Sequence, residues 1–328
     1  MLRSPICISL LFASCNAFTI PLQTVRSDSQ LSVQPVAPGK PSIAGIHVRG
    51  GAVSASLSTS VLAGAYAIPA TAGIAAVAGT LAYVRQAYIF SLSYGLSMLG
   101  IGVAALLTSP ASLLVRVHAG LIAAYGLRLF AFLFWRQQLQ PAYDGMAKLR
   151  ALDKTPRLQR TPIILSTAYF YSLLSSPLIF HLQSAPLVGG AASLSVAGLA
   201  LATIGLVYEA VADQQKSLFK MALRRDGKPD ELYKGGLYAS SRHANYLGEM
   251  VFWLGSFIAG VPAIFAPGVS LLSKALRAVS VSLGLAGIFF IMLSATKRLE
   301  TRQAEKYRPS AAYDKYYMST GALLPKLM

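Results

Sequence analysis

One short stretch of the chain gathers side chains that suit the binding of a polar ligand. From Ser241 to Glu249 the sequence reads SRHANYLGE, and the residues that follow are almost purely apolar. Ser240 or Ser241 can cap a new helix here. In that helix Arg242, Asn245 and Glu249, spaced three and four residues apart, share one face. The pattern predicts a polar face at the mouth of a membrane helix.

The chemistry of these side chains favours a ligand that carries both phosphate and amide groups. Arg242 and His243 can bind phosphate, whereas Asn245 and Glu249 can hydrogen-bond a carboxamide or the edge of a base. We expect the partner of Glu249 to be Arg242 or an amide of the ligand. The alternative is a set of polar contacts between helices with no ligand.

Two apolar segments also contain ionisable residues, which are rare and usually functional within a membrane. Arg128 lies in AAYGLRLFAFLFWRQ, where it either snorkels to the basic side or faces an interior site. In GLVYEAVADQQK, Glu209 and Asp213 are four residues apart and share a helix face, which Lys216 and Lys220 continue. This stripe is either solvated, as the helix leaves the membrane, or part of an interior site, because Glu209 should lie within the bilayer.

The C-terminal region adds further polar residues. Glu300 and Arg302 follow the last apolar segment and can form an exposed ion pair, which would contribute little to stability. Farther on, Tyr313 and Tyr316 precede the apolar sequence ALLP, which is too short to span a membrane. We expect this tail to fold back onto the rest of the chain; the alternative is a frayed terminus.

The elements that position these residues are predicted to be membrane helices. The chain is 54% hydrophobic and 12% charged, with a mean hydropathy of +0.53, whereas soluble domains are about 25% charged. Because a span needs ~20 apolar residues, the sequence predicts an all-α, polytopic integral membrane protein. Its apolar segments indicate about seven transmembrane helices, at 58–83, 88–108, 111–135, 162–182, 190–211, 246–266 and 277–296.

The distribution of basic residues predicts the orientation. The net charge is +17, and Lys and Arg concentrate in 136–161, 212–245 and 297–328, which seven spans place on one side. The opposite segments 109–110 and 183–189 carry no charge, and the exception is Lys274 with Arg277. This asymmetry is typical of the positive-inside rule and predicts a C-terminus on the cytosolic or stromal side. It explains the charge without nucleic acid as a partner.

The N-terminal region resembles a targeting sequence. Residues 1–18 combine Arg3, an apolar run and small residues, as in a secretory signal, and 19–56 have the acid-poor composition of a transit peptide. The junction ASCNAFTIP, with Phe18, resembles the presequences of algae with secondary plastids. We therefore expect a plastid membrane, with the endoplasmic reticulum as the alternative, and a membrane domain at 57–328. Both cysteines precede residue 19 and the histidines lack metal-ligand spacing, so neither thiol nor metal chemistry is expected.

Four ordered motifs carry a family resemblance. The segments YGLRLFAFLFWR, YEAVADQQKSLF and GLYASSRHANYLGE, with the final TGALLP, resemble the DUF1295 branch of the steroid 5-alpha-reductase-like membrane proteins. The resemblance runs from about residue 125 to 328, judged by motif order. Ala244 stands where the family usually has proline, which removes a rigid helix start and leaves the polar side chains in place.

The resemblance implies a function as well as a fold. It implies seven spans, NADPH bound at the cytosolic or stromal side, and reduction of an activated carbon–carbon double bond in a lipophilic substrate such as a sterol or isoprenoid. By motif position it places cofactor contacts at Asp213, Asn245 and Glu249, and the same motif holds Arg242, His243 and Tyr246. Other recurring family positions fall on Arg128, Glu300, Tyr313 and Tyr316.

The catalytic residues stay open at the level of sequence. In the steroid reductases proper, a tyrosine and a glutamate in the N-terminal half polarise the ketone, but this chain has no acid between Asp28 and Asp144. An enone oxygen that gains charge still needs a hydrogen-bond donor. Candidate tyrosines in this region are Tyr66, Tyr83, Tyr88 and Tyr94.

Two other functional classes compete with a reductase. Isoprenylcysteine carboxyl methyltransferases, which bind S-adenosylmethionine, share a related C-terminal region with an Arg-His-Pro element. A transporter or membrane scaffold is the non-enzymatic alternative, since intramembrane charges also mark transport paths. The polar residues here gather at one side, and no inverted repeat is visible in the sequence.

Overall fold

The computed structural model describes residues 67–108, 112–139, 153–308 and 310–326, and most of these residues are helical. The segments 1–56, predicted to be targeting sequences, and Tyr66 lie outside the described residues. Within the described ranges no strand forms, and Ser241 and Gly321 make a single parallel bridge. The described part of the chain contains eight α-helices: α1 (Ala67–Gly79), α2 (Leu92–Thr108), α3 (Leu113–Phe134), α4 (Thr161–Gln183), α5 (Gly189–Arg225), α6 (Ala244–Ile264), α7 (Leu271–Tyr307) and α8 (Ala311–Ser319).

The prediction of an all-α membrane protein is confirmed. Five helices of the described chain, α3 to α7, are long and apolar enough to cross a bilayer. The two remaining predicted spans correspond to shorter apolar helices at Ile68–Tyr83 and Leu92–Thr108, so the full count of seven stays a prediction. Helices α5 and α7 have 37 residues each, about 55 Å at 1.5 Å per residue. Both are therefore longer than a bilayer core of about 30 Å requires.

Helices α5 and α6 pack with their backbones in close contact along a line of glycines. Gly198 and Gly205 on α5, and Gly248 and Gly255 on α6, repeat at seven residues and face the backbone of the partner helix. A Cβ atom at Gly248 would lie only 2.6 Å from the backbone nitrogen of Glu209. Small residues at such an interface allow helices to approach closely in a membrane. This packing places Glu209 directly against the helix that carries Glu249.

Helices α2 and α3 pair in the same way. A Cβ atom at Gly95 would lie 2.9 Å from the Cβ of Phe130, and Gly102 and Gly126 also face backbone atoms across this interface. The pairing brings Tyr94, which precedes Gly95, next to Tyr125, which precedes Gly126. Two glycine-lined helix pairs thus position the aromatic and acidic residues of the interior.

The C-terminal tail folds back onto the bundle, as the sequence predicts. After α8 the chain passes beside the start of α6, where the backbone N–H of Arg242 donates to the carbonyl of Gly321 at 2.9 Å. The N–H of His243 donates to the carbonyl of Ala322 at 3.0 Å. The tail therefore satisfies backbone donors just before the first turn of α6.

The start of α6 differs from the prediction. The helix begins at Ala244, with His243 as the N-cap residue and no side-chain capping bond. The hydroxyl of Ser240 donates to the carbonyl of Leu237 instead. Because the C-terminal tail takes the N–H groups of Arg242 and His243, Arg242 lies before the helix and does not share a helical face with Glu249.

Candidate functional site

A tyrosine–carboxylate cluster lies in the interior of the bundle. Oε1 of Glu249, on α6, accepts hydrogen bonds from the hydroxyls of Tyr94 on α2 and Tyr125 on α3, each at 3.0 Å. The indole Nε1 of Trp253 donates to the Tyr94 oxygen at 2.8 Å. Each of the four side chains is at most 7% exposed. The arrangement fixes two phenol hydroxyls against one carboxyl group, away from water.

Aromatic rings enclose this cluster. Tyr171 on α4 stacks on Tyr94 with ring centroids 4.9 Å apart, and Phe252 stacks on Tyr125 at 4.3 Å. The hydroxyl of Tyr171 donates to the carbonyl of Ile89 at 2.8 Å. Apolar walls around oriented donors strengthen electrostatic interactions, because little water is present to screen them.

The second group of polar residues joins α3 to α5. Arg128 Nη1 donates to Asp213 Oδ2 at 2.7 Å, and Arg128 Nη2 forms an ion pair with Glu209 Oε1. The predicted shared face of Glu209 and Asp213 is confirmed, because both contact one guanidinium. Glu209 is only 3% exposed, so the alternative of a solvated stripe is wrong at this position. Arg128 does not snorkel freely, and its guanidinium lies 6.0 Å from the ring centroid of Tyr125.

Some buried atoms of this second group have no hydrogen-bond partner among the described residues. They are Oε2 of Glu209 and Nε of Arg128. Buried polar atoms of native proteins are nearly always satisfied, so each exception needs an explanation such as a ligand or a bound water. Of the two residues, Arg128 lies about one helical turn after Tyr125 on α3.

The third group lies between the start of α6 and the C-terminal region. Arg242 Nη2 donates to Glu300 Oε2 at 2.6 Å, and His243 Nε2 lies 2.6 Å from Glu300 Oε1. Nη1 of Arg242 also donates to the carbonyls of Tyr317, at 2.9 Å, and Thr320. Arg242 is 7% exposed and His243 is 1% exposed. Their donors are thus committed to Glu300 and the tail.

Two predicted pairings are therefore wrong. Glu249 pairs with Tyr94 and Tyr125 and not with Arg242, because α6 begins too late to bring Arg242 onto its face. Glu300 does not form a simple surface pair with Arg302. Its side chain is 15% exposed, and it binds Arg242 and His243.

The remaining predicted residues lie around this third group. The hydroxyl of Tyr238 donates to Asn245 Oδ1 at 3.2 Å, and the hydroxyl of Tyr316 donates to the carbonyl of Tyr238 at 2.6 Å. Burial raises the pKa of Tyr316 to about 12, so this donor stays protonated at neutral pH. Tyr246 stacks on His243 with centroids 5.8 Å apart, and Tyr313 is buried on α8.

Of the four candidate tyrosines, the structure brings one to the interior cluster. Tyr94 contacts Glu249, whereas the Tyr83 hydroxyl lies 2.9 Å from the Thr161 hydroxyl. Tyr88 is buried. Sequence reasoning missed Tyr125 and Trp253, although Tyr125 lies three residues before Arg128 and so on the same face of a helix.

A fourth polar group lies deeper along α3 and α6. Nδ1 of His118 is 3.3 Å from Nδ1 of His181, and Nε2 of His118 is 2.8 Å from the Ser256 hydroxyl. His118 and Ser256 are each seven residues from the cluster residues Tyr125 and Glu249, about 10 Å along a helix. The described residues contain no group of three or more side chains that could hold a metal ion.

Comparison with known proteins identifies one family. A family model described as "Protein of unknown function (DUF1295)" matches residues 85–320, which is more than two thirds of the chain. The match includes Tyr94, Tyr125, Glu209 and Glu249. No curated protein and no solved structure matches the chain.

Proposed function

The chain belongs to the DUF1295 family, and we propose that it is a membrane-embedded, NADPH-dependent reductase. Its substrate would be a lipophilic molecule with an activated carbon–carbon double bond, such as a sterol or isoprenoid enone. The observation that carries the proposal is the buried cluster of Tyr94, Tyr125 and Glu249. Two oriented hydroxyls in an apolar interior suit the polarisation of one carbonyl oxygen.

The tyrosines perform the electrostatic part of the proposed reaction. NADPH, when bound, supplies a hydride to the double bond. Negative charge then develops on the carbonyl oxygen of the substrate, and Tyr94 or Tyr125 donates a hydrogen bond to that oxygen. Glu249 holds both hydroxyls in place before the substrate oxygen replaces it as an acceptor. Trp253 continues to donate to the Tyr94 oxygen, which favours Tyr94 as the residue that gives up a proton.

This arrangement accounts for the missing N-terminal acid. The carboxyl partner of a tyrosine from the N-terminal half comes from α6, as Glu249, and not from α1 or α2. A tyrosine–carboxylate pair thus forms between residues that are far apart in sequence. We infer that the chain needs no acid in its first helices to orient a polarising tyrosine.

The residues near the cluster fit a polar cofactor. Buried atoms of Arg128 and Glu209 lack partners, which indicates a polar ligand beside them. We propose that Arg128, Asp213, Asn245, Tyr246 and Glu249 contact NADPH.

The residues of the third group have a different proposed role. The donors of Arg242 and His243 are used by Glu300 and the tail. We therefore assign Arg242, His243, Glu300, Tyr313 and Tyr316 to holding the C-terminal tail against the start of α6, and so to positioning the cofactor residues of α6.

Orientation and location are also proposals. The concentration of Lys and Arg in 212–245 and 297–328 supports a cofactor side that faces the cytosol or stroma. The N-terminal composition supports a plastid membrane. A C-terminal fluorescent fusion tests this address, and fluorescence confined to the endoplasmic reticulum would contradict it.

A comparison of cofactors tests the proposed function. The full chain in detergent is heated with NADPH, NADH or S-adenosylmethionine. A ligand at 100 times its dissociation constant stabilises the folded state by ~2.7 kcal/mol. We expect stabilisation by NADPH that is reduced in Asn245→Ala and Glu249→Gln but retained in Glu305→Gln, because Glu305 is exposed and far along α7.

The other outcomes of this experiment are equally informative. Stabilisation by S-adenosylmethionine alone would replace the reductase with a methyltransferase. No stabilisation by any of the three molecules would contradict an enzyme of either class and support a transporter or scaffold.

A further inference from the structure

The ion pair of Arg128 and Glu209 leaves one hydrogen-bond acceptor and one hydrogen-bond donor without partners. Oε1 of Glu209 contacts the guanidinium, whereas Oε2 has no partner. On Arg128, Nη1 donates to Asp213 and Nη2 is engaged by Oε1 of Glu209, whereas the buried Nε has no partner. One acceptor atom of Glu209 and one donor atom of Arg128 are therefore without partners in the same ion pair. The Arg128 side chain is 20% exposed, against 4% for Glu209, so the pair is more open on the arginine side.

The chemistry of these atoms restricts what can satisfy them. A carboxylate or phosphate would meet repulsion from Glu209, and an ammonium group would meet repulsion from Arg128. A primary carboxamide carries an NH2 donor and a carbonyl acceptor next to each other. It can donate to Oε2 of Glu209 and accept from Arg128 at the same time. Bonds to charged partners of this kind are the strong ones.

The pair lies beside the tyrosine–carboxylate cluster. Arg128 follows Tyr125 by three residues on α3, and the backbone of Glu209 packs against Gly248, the neighbour of Glu249. A group bound by Arg128 and Glu209 is thus held next to the tyrosines that are proposed to polarise the substrate.

The two residues predicted from sequence to bind a carboxamide each have an acceptor oxygen that is already engaged. Oε1 of Glu249 accepts from two tyrosines, and Oδ1 of Asn245 accepts from Tyr238. Oε2 of Glu209, by contrast, is buried and has no partner. Buried unsatisfied atoms cost free energy until a ligand pairs with them, which favours binding at this point.

We propose that Arg128 and Glu209 form the binding site for the carboxamide of the nicotinamide ring. Glu209 accepts from the amide NH2, and Arg128 donates to the amide oxygen. This inference rests on the proposed function, because it names the residues that recognise one end of its cofactor. It adds Glu209, which neither the motif resemblance nor helical spacing assigns to the cofactor.

Oxidised cofactor analogues test the inference by binding alone. NADP+ is compared with its 3-acetylpyridine analogue, in which a methyl group replaces the amide NH2, and with its thionicotinamide analogue, which keeps the NH2. Dissociation constants are measured by titration of the full chain in detergent. We expect NADP+ and the thionicotinamide analogue to bind at least about tenfold more tightly than the 3-acetylpyridine analogue, because only they donate to Glu209.

Variants at Glu209 separate recognition from a structural role. In Glu209→Leu, which leaves Arg128 its bond to Asp213, the preference for NADP+ over the 3-acetylpyridine analogue should fall to about onefold. Glu209→Gln keeps the shape and a neutral acceptor, so its preference should lie between those of Glu209→Leu and the wild type. Glu305→Leu, on the exposed part of α7, should keep the wild-type preference.

Each outcome decides between the claims. A wild type without this preference, or a preference that persists in Glu209→Leu and Glu209→Gln, overturns the carboxamide site and leaves the reductase proposal intact. Equal weakening of both ligands in the variants means that Glu209 acts only through the fold, which also overturns the site. A wild type that binds neither NADP+ nor its analogues overturns the reductase proposal as well.

Discussion

At the scale of single residues, the interior is organised by hydroxyl groups that share one carboxyl oxygen. Tyr94 both donates to Glu249 and accepts from Trp253, so its orientation is fixed by two different bonds. Tyr125 contacts the same oxygen of Glu249, and its hydroxyl lies 3.1 Å from that of Tyr94. Removing one hydroxyl therefore takes away a hydrogen-bond donor without emptying the aromatic packing.

The substitution Tyr94→Phe tests the role of this hydroxyl. The ring can still stack on Tyr171, so the fold should persist. If the hydroxyl stabilises charge on the substrate oxygen, kcat should fall by about 10²–10³-fold, as for the loss of one oxyanion donor. The dissociation constant for NADPH should change little. The assay follows NADPH absorbance with a panel of lipophilic enones.

A matched substitution serves as the control for this prediction. Tyr83→Phe removes a hydroxyl that contacts Thr161, outside the cluster. Because a change away from the site costs little, kcat should stay within about twofold of the wild type. Wild-type turnover by Tyr94→Phe would show that the Tyr94 hydroxyl is not needed and would favour Tyr125 as the hydrogen-bond donor.

At the scale of helices, glycine spacing determines which side chains meet. Gly205 of α5 faces the backbone of Phe252 on α6, and Gly255 of α6 faces the backbone of Ala202 on α5. These contacts hold the two helices so close that Glu209 and Glu249 lie on either side of one interface. The geometry of the candidate site thus depends on residues that carry no polar group.

The substitution Gly205→Ala should separate α5 from α6. Its Cβ would overlap the backbone nitrogen of Phe252, which cannot move as a flexible side chain could. Overpacking of this kind costs about 1–3 kcal/mol. We expect a lower unfolding temperature in detergent together with weaker NADPH binding, both measured by thermal unfolding with and without the cofactor.

A second glycine provides the comparison. Gly120 on α3 has no atom within 4 Å of the position that a Cβ would take. Gly120→Ala should therefore leave stability equal or raise it by about 0.5–1 kcal/mol, through the better helix propensity of alanine. Equal effects of the two substitutions would mean that close approach at Gly205 is unimportant.

The helices themselves could be predicted from sequence, whereas the pairing of polar residues could not. Long apolar runs have one stable solution in a bilayer, since a helix satisfies its own backbone. The position of Arg242, by contrast, depends on backbone hydrogen bonds to the carbonyls of Gly321 and Ala322, which lie near the C-terminus. Helical periodicity relates residues of a single helix and therefore cannot predict such a contact. The shared face of Glu209 and Asp213 could be predicted because both residues lie on one helix, four residues apart.

The sequence did contain one signal for the meeting of α5 and α6. The seven-residue repeats of Gly198 with Gly205, and of Gly248 with Gly255, are visible without a structure. Small residues at regular spacing favour close helix packing in membranes. Read together, these repeats would have predicted that α5 and α6 are neighbours, and so that Glu209 lies near Glu249.

At the scale of the whole molecule, charge separates the two ends of the bundle. Basic residues concentrate in the segments after α5 and α7, whereas the link between α4 and α5 carries none. The long helices α5 and α7 end in the same basic region, where Lys220 and Lys306 both contact Asp230. The positive-inside rule predicts that this end, with the start of α6 and the tail, faces the cytosol or stroma.

Single cysteines can test this orientation directly, because Cys7 and Cys15 are the chain's two cysteines and both can be replaced by serine. In that background Lys228→Cys lies in the exposed link between α5 and α6, and Pro186→Cys lies in the exposed link between α4 and α5. Sealed vesicles with the cytosolic or stromal face outward are treated with a maleimide that cannot cross membranes. The positive-inside rule predicts rapid labelling at Lys228→Cys and labelling at Pro186→Cys only after detergent is added.

The reverse pattern would mean that the bundle has the opposite orientation and would place the proposed cofactor site on the opposite face. Labelling of both positions in intact vesicles would require an even number of spans between them, whereas α5 alone separates them, and would contradict α5 as a transmembrane helix.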